Sequence, residues 1–181
     1  MHYAQQYRTD LLNALESIDL RTLDEVVDIL REARAHGRCV FVCGNGTHAS
    51  ACCHLLCDML RTSSLNRATK FRIFALTDEM RQPDVFDDRV LVNQLRNTAS
   101  SKDVVVAISA AENPRPVLRA IEYAKEVGCR TIGISGRVNG KLAAVADTVI
   151  LTPASQLGSV EDAHIIVCRM IGHYFVNFDQ G

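Results

Sequence analysis

The chain has 181 residues, 48% hydrophobic and 23% charged, with a formal net charge of −1, and is expected to form one domain over 1–181 that buries roughly 70% of its unfolded surface. A near-neutral balance leaves no electrostatic footprint for nucleic acid or an anionic membrane. The polar start at 1–8, with no apolar run of bilayer length, predicts no signal peptide, no membrane span and a cytoplasmic protein.

Apolar positions at helical spacing, Leu11, Leu12 and Leu15 followed by Leu23, Val26, Val27, Leu30 and Ala33, predict amphipathic helices over 4–17 and 22–36. Asp19 and Thr22 offer N-cap chemistry between them, and Gly37 stops the second helix. Two helices ahead of the first strand exceed what an α/β core needs. Segment 1–37 is therefore expected to pack partly against another subunit, and 38–181 to form the core. A strand over 38–43, a helix over 47–62 and a strand over 71–76 come next, and 77–83 reads as a loop. A helix over 85–97 leads to a continuous apolar strand at 104–108, of the kind buried on both faces of a parallel sheet. Asn113 as a cap and Pro114 as first helical residue open a helix to about 127. A strand at 131–135, a short helix at 141–146, a strand at 148–151 and a helix from 158 or 159 to about 178 complete the chain. This alternation predicts a three-layer α/β/α sandwich around a five-stranded parallel sheet, with N-terminal helices ahead of it. Ligands then sit beyond the carboxyl ends of the strands.

Five of the seven cysteines, Cys39, Cys43, Cys52, Cys53 and Cys57, fall in one strand and one helix. An odd count without paired Cys-x-x-Cys units predicts reduced, core-filling thiols, Cys53 and Cys57 included. The turn Gly44-Asn45-Gly46-Thr47-His48 runs from an apolar strand directly into a helix, so a helix N-terminus faces the strand end as an anion cradle. It has neither the Gly-Lys-Ser/Thr end of a Walker loop nor the third glycine of a dinucleotide fingerprint. His54 and Asp58 follow at i and i+4, an imidazole and a carboxylate one turn apart on one face. They serve either as an acid/base or metal pair, or as a surface pair joined by a hydrogen bond.

The stretch 43–58, the Ile108-Ser109 strand end with Asn113, the runs 120–136 and 140–147, and Val160-Glu161-Asp162-Ala163-His164 together resemble the sugar isomerase (SIS) domain, a flavodoxin-like sandwich, in its phosphoheptose isomerase branch. The resemblance implies interconversion of sedoheptulose 7-phosphate and a heptose 7-phosphate, an aldose–ketose isomerisation. It also implies a phosphate held by loops after the first and third strands, and a homotetramer with sites between subunits. Zinc is the implied metal, on a family histidine and glutamate that match His54 and Asp58. A family glutamine falls on Glu161, and a final family histidine falls on Arg169. Glu161 thereby joins His54 and Asp58 as a catalytic candidate, while Gly44, Asn45, Gly46, Thr47, His48, Ser109, Asn113 and Arg169 are candidates for holding substrate.

The departures carry information of their own. The family's Ser/Thr-rich phosphate loop reads Ser109-Ala110-Ala111-Glu112-Asn113-Pro114, which removes three hydroxyls and adds a carboxylate that repels phosphate. His48 stands where the family has serine, and the segment after the second strand is shorter. On the last helix Glu161, His164 and Cys168 share a stripe at i, i+3 and i+7, so His164 or Cys168 can replace the missing histidine as a zinc ligand. The alternative is that Cys168 and His164 are core and that Arg169 pairs with Glu161. Two functions follow: a sugar-phosphate isomerase, favoured by His54 and Asp58, or a non-catalytic phosphosugar-binding regulator acting through protein contacts, favoured by the eroded loop and Arg169.

Overall fold

The computed structural model describes residues 2–61, 69–76 and 88–179. Two helices, α1 (Tyr3–Glu16) and α2 (Leu20–Ala35), precede strand β1 (Cys39–Gly44) and helix α3 (His48–Arg61). Then follow β2 (Arg72–Leu76), α4 (Val90–Arg96), β3 (Val104–Ser109), α5 (Arg115–Val127), β4 (Arg130–Ser135), α6 (Lys141–Val145), β5 (Thr148–Leu151) and α7 (Leu157–Asn177). The loop expected at 77–83 and the start of the helix expected at 85 lie outside the described residues. Among the described residues no helix is long and apolar enough to cross a membrane.

All five strands are parallel, in the order β2-β1-β3-β4-β5. Period-two alternation divides the strand residues between two cores. Val40, Val42, Val104, Val106, Ile132 and Ile134 pack under α2, α3 and α7, whereas Phe41, Cys43, Val105 and Ala107 pack under α4, α5 and α6. The chain reverses its winding between β1 and β3, so their carboxyl ends flank a switch-point crevice. The expected sandwich is the fold observed.

Local chemistry sets most boundaries. The Asp19 carboxylate accepts from the Arg21 N–H at 2.9 Å and caps α2. At the other end Gly37 turns left-handed at φ +63 and lets the Arg38 N–H reach Ala33 O at 2.8 Å. Two expected starts need correction. Asn113 does not cap α5: Pro114 is the flanking residue, with no side-chain cap, and Arg115 begins the helix. The last helix begins at Leu157, and Asp10 of α1 ties down the turn ahead of it: Asp10 accepts from the Ser155 N–H at 2.9 Å, the Ser155 hydroxyl at 2.7 Å and the Gln156 N–H at 3.0 Å. Those donors pull the Asp10 carboxyl down to about 2.

All seven cysteines are free. Cys39, Cys43, Cys52, Cys129 and Cys168 are buried, but Cys53 and Cys57 are exposed, against the expectation that they fill the core. The buried stripe of α3 is Ala51, Cys52, Leu55 and Met59. Cys53 and Cys57 lie about 100° and 140° round the helix from Cys52 and face solvent.

Candidate active site

Two clusters lie on the same pair of helices, α3 and α7. The first sits over the switch point. Gly46 takes a left-handed φ of +57, which turns the chain from β1 into α3. Across the crevice the Ser109 hydroxyl lies 3.4 Å from Asn45 Oδ1 and accepts from the Ala111 N–H at 3.2 Å. The structure thus sets the Asn45 side of the turn against Ser109. It also fills part of the cradle: the Thr47 hydroxyl donates to Glu161 Oε1 at 2.5 Å, placing a carboxylate beside the α3 N-terminus, where the helix dipole favours negative charge.

Gly44 allows α3 to come close, since a Cβ there would lie 2.9 Å from His48 Cβ and 3.1 Å from Cys52 Sγ. The His48 ring therefore turns inward, 6% exposed, with its centroid 5.1 Å from that of His164, which is fully buried. Among the described residues neither His164 nitrogen nor His48 Nε2 has a hydrogen-bond partner. Burial, with the neighbouring His48 adding to it, pushes His164 down to about 3, and burial lowers His48 too. Both rings are held neutral. Cys168 lies wholly in the core, and burial pushes its thiol up to about 12.

The second cluster lies further down the helices. Arg169 NH1 donates to both carboxylate oxygens of Asp58, at 2.8 and 2.9 Å, and NH2 lies 3.3 Å from His54 Nδ1. A guanidinium only donates, so Nδ1 accepts and the neutral imidazole carries its proton on Nε2. Asp58 is 1% exposed. Gly172 makes that burial possible, because a Cβ there would meet Asp58 Cβ at 2.5 Å. Arg169 pairs with Asp58 rather than with Glu161. Its side chain is 42% exposed and borders a groove of about 470 Å³ with Leu23, Val27, Met170 and Tyr174.

The residues present do not fit a resident zinc. Among the described residues no three His, Cys, Asp or Glu side chains stand close enough to hold a metal. Asp58 and His54 have a guanidinium where the ion would sit, Glu161 is turned to Thr47, and His164 and Cys168 are fully buried. Asn113 is exposed and outside the cradle, in a recess with Arg115 and Lys141. One residue went unread in the sequence: Arg137, just past β4, whose Nε donates to Ala110 O at 3.4 Å while Gly136 N–H reaches Ser109 O at 3.3 Å. A cation thus stands beside the loop that lost its hydroxyls, near Glu112. Its signal was a basic residue immediately after a strand end.

The SIS domain family matches residues 2–136 of the chain. The phosphoheptose isomerase of Geotalea daltonii is 30% identical over 150 residues, covering 81% of this chain and 78% of that protein. That of Solidesulfovibrio magneticus is 29% identical over 160 residues, covering 84% and 78%. Among solved structures, phosphoheptose isomerase from Neisseria gonorrhoeae superposes with a TM-score of 0.81 at 22% identity, covering 97% of this chain and 95% of that one.

Proposed function

The chain belongs to the SIS domain family, and on that premise we propose that it is a sugar-phosphate isomerase of the aldose–ketose type, resembling sedoheptulose-7-phosphate isomerase. The observation that carries this reading is the pairing of an anion cradle with an imidazole site on one pair of helices. Seven residues of α-helix separate Thr47 from His54, about 10 Å along the axis. A linear sugar phosphate spans that interval with its phosphate at Thr47 and Ser109 and its carbonyl end at His54.

Isomerisation moves one proton between adjacent carbons and one between their oxygens. Arg169 cannot release a proton, and both Asp58 oxygens are engaged by it. The groups left for proton transfer are therefore His54 and Glu161. Glu161 forms no ion pair among the described residues and is held only by the Thr47 hydroxyl. Substrate phosphate competes for that hydroxyl and frees the carboxylate to take the carbon-bound proton. The C–H electrons form the enediol double bond as the carbonyl π pair moves onto oxygen, to which His54 Nε2–H donates. Return of the proton to the neighbouring carbon closes the cycle, with the hydroxyl proton passing to the former carbonyl oxygen. The reading includes a cytoplasmic homotetramer, supported by the apolar surface at Tyr3, Leu12, Leu20 and Phe178, which are 72, 51, 61 and 73% exposed.

The test is turnover of sedoheptulose 7-phosphate and its shorter homologues by the wild type and two variants. His54→Ala and Glu161→Gln should each lower kcat by roughly 100-fold or more, with melting temperatures within a few degrees of wild type. Turnover unchanged in both variants would contradict these roles. A second reading, a phosphosugar-binding regulator, is favoured by Ala110, Ala111 and Glu112 in place of hydroxyl donors. Its signature is a sugar phosphate that raises the melting temperature of the wild type without any conversion.

A further inference from the structure

We infer that Arg169 takes the place of a divalent metal in this chain: its guanidinium, seated on Asp58 and His54, is the fixed positive charge of the site. Three observations carry this. The lone pairs that a metal would use, both Asp58 oxygens and His54 Nδ1, all point at Arg169 nitrogens within 3.3 Å. Asp58 is locked beneath α7 by the close approach of Gly172, so its carboxylate cannot turn elsewhere to find an ion. Among the other donors of α7, His164 and Cys168 are fully buried, Glu161 is bonded to Thr47 and Asp162 to Tyr7.

The exchange has definite chemical content. A guanidinium carries five N–H donors in a plane and a permanent charge. One NH1 hydrogen, shared between the two Asp58 oxygens, and one NH2 hydrogen, aimed at His54, account for these contacts, so Nε–H and the second NH2 hydrogen are among the donors left over. Those two donors suit an electron-rich oxygen, such as the carbonyl oxygen that gains charge in an enediolate. This part rests on the isomerase reading above. The absence of a high-affinity metal site does not.

The experiment is metal counting in a background with Cys53→Ser and Cys57→Ser, so that exposed thiols take up no ion. Protein dialysed against zinc and then desalted is analysed for metal, and its melting temperature is followed with and without added zinc. This background protein should be substoichiometric in zinc, with an unchanged melting temperature. Adding Arg169→His should produce uptake of about one zinc per chain and a raised melting temperature, and His54→Ala on top of it should abolish both. About one tightly held zinc in the protein that retains Arg169, lost on His54→Ala, would overturn the inference whether or not the Arg169→His protein folds. Because no substrate enters the measurement, its outcome is separate from that of the isomerase assay.

Discussion

His164 shows at the scale of one residue how the fold trades stability for a packed site. Its ring is fully buried with no partner on either nitrogen among the described residues, and an unsatisfied buried polar group costs about 1–3 kcal/mol. Its native pKa of about 3 lies below the ordinary 6.5. Between those values the unfolded chain binds a proton that the native chain excludes, so stability is full above pH 6.5 and falls as pH drops towards 3. The slope is about 1.4 kcal/mol per pH unit for one proton, or about 2 kcal/mol lost between pH 6.5 and 5. His48, lowered for the same reason, adds in the same direction. His164→Leu should therefore be at least as stable as wild type at pH 7 and should lose one proton's worth of the acid slope, as read from urea melts at pH 7 and 5. A parallel slope in the variant would show that His164 does not titrate this way. The burial of position 164 was legible in its helical stripe. The missing partners were not, because spacing shows which face a residue occupies and not which polar atoms oppose it.

At the scale of elements, α1 is tied to the start of α7 by side chains. Asp10 takes three donors from Ser155 and Gln156. The Tyr7 hydroxyl donates to Asp162 at 2.7 Å, a bond that raises the phenol to about 12. Asp10→Ala should cost about 1 kcal/mol, the net worth of a hydrogen bond near the surface, and a urea melt measures it. The Asp10 contribution is present above pH 3.8 and is lost as pH falls from 3.8 to about 2, so wild type and variant should converge in acid. No local signal announces such a tie, since its partners stand 145 residues apart in sequence. The strand-turn-helix of β1 and α3 was legible for the opposite reason: the apolar run, the Gly-Asn-Gly turn and the helical stripe are contiguous. The solvent-facing positions of Cys53 and Cys57 were also recoverable, from their offset against Ala51, Cys52, Leu55 and Met59. The alternative pairing of Arg169 with Glu161 is not the one formed, because a long side chain on α7 reaches several neighbours. The choice of Asp58 over Glu161 follows from the close approach of the helices at Gly172.

Over the whole molecule, the sheet order places β1 and β3 side by side with reversed winding, and the crevice at their carboxyl ends receives the cradle. The packing of α7 against α3 then sets His54, Asp58 and Arg169 at a sugar's length from it. On the proposed reading, this assembly isomerises a sugar phosphate with Arg169 as its fixed cation. The most direct measurement is NMR of sedoheptulose 7-phosphate incubated in D₂O with chelator-treated protein. The aldose should form with deuterium at the carbon next to the carbonyl, at a rate unchanged by chelator. Neither product nor exchange, or activity that returns only with added zinc, would contradict this reading.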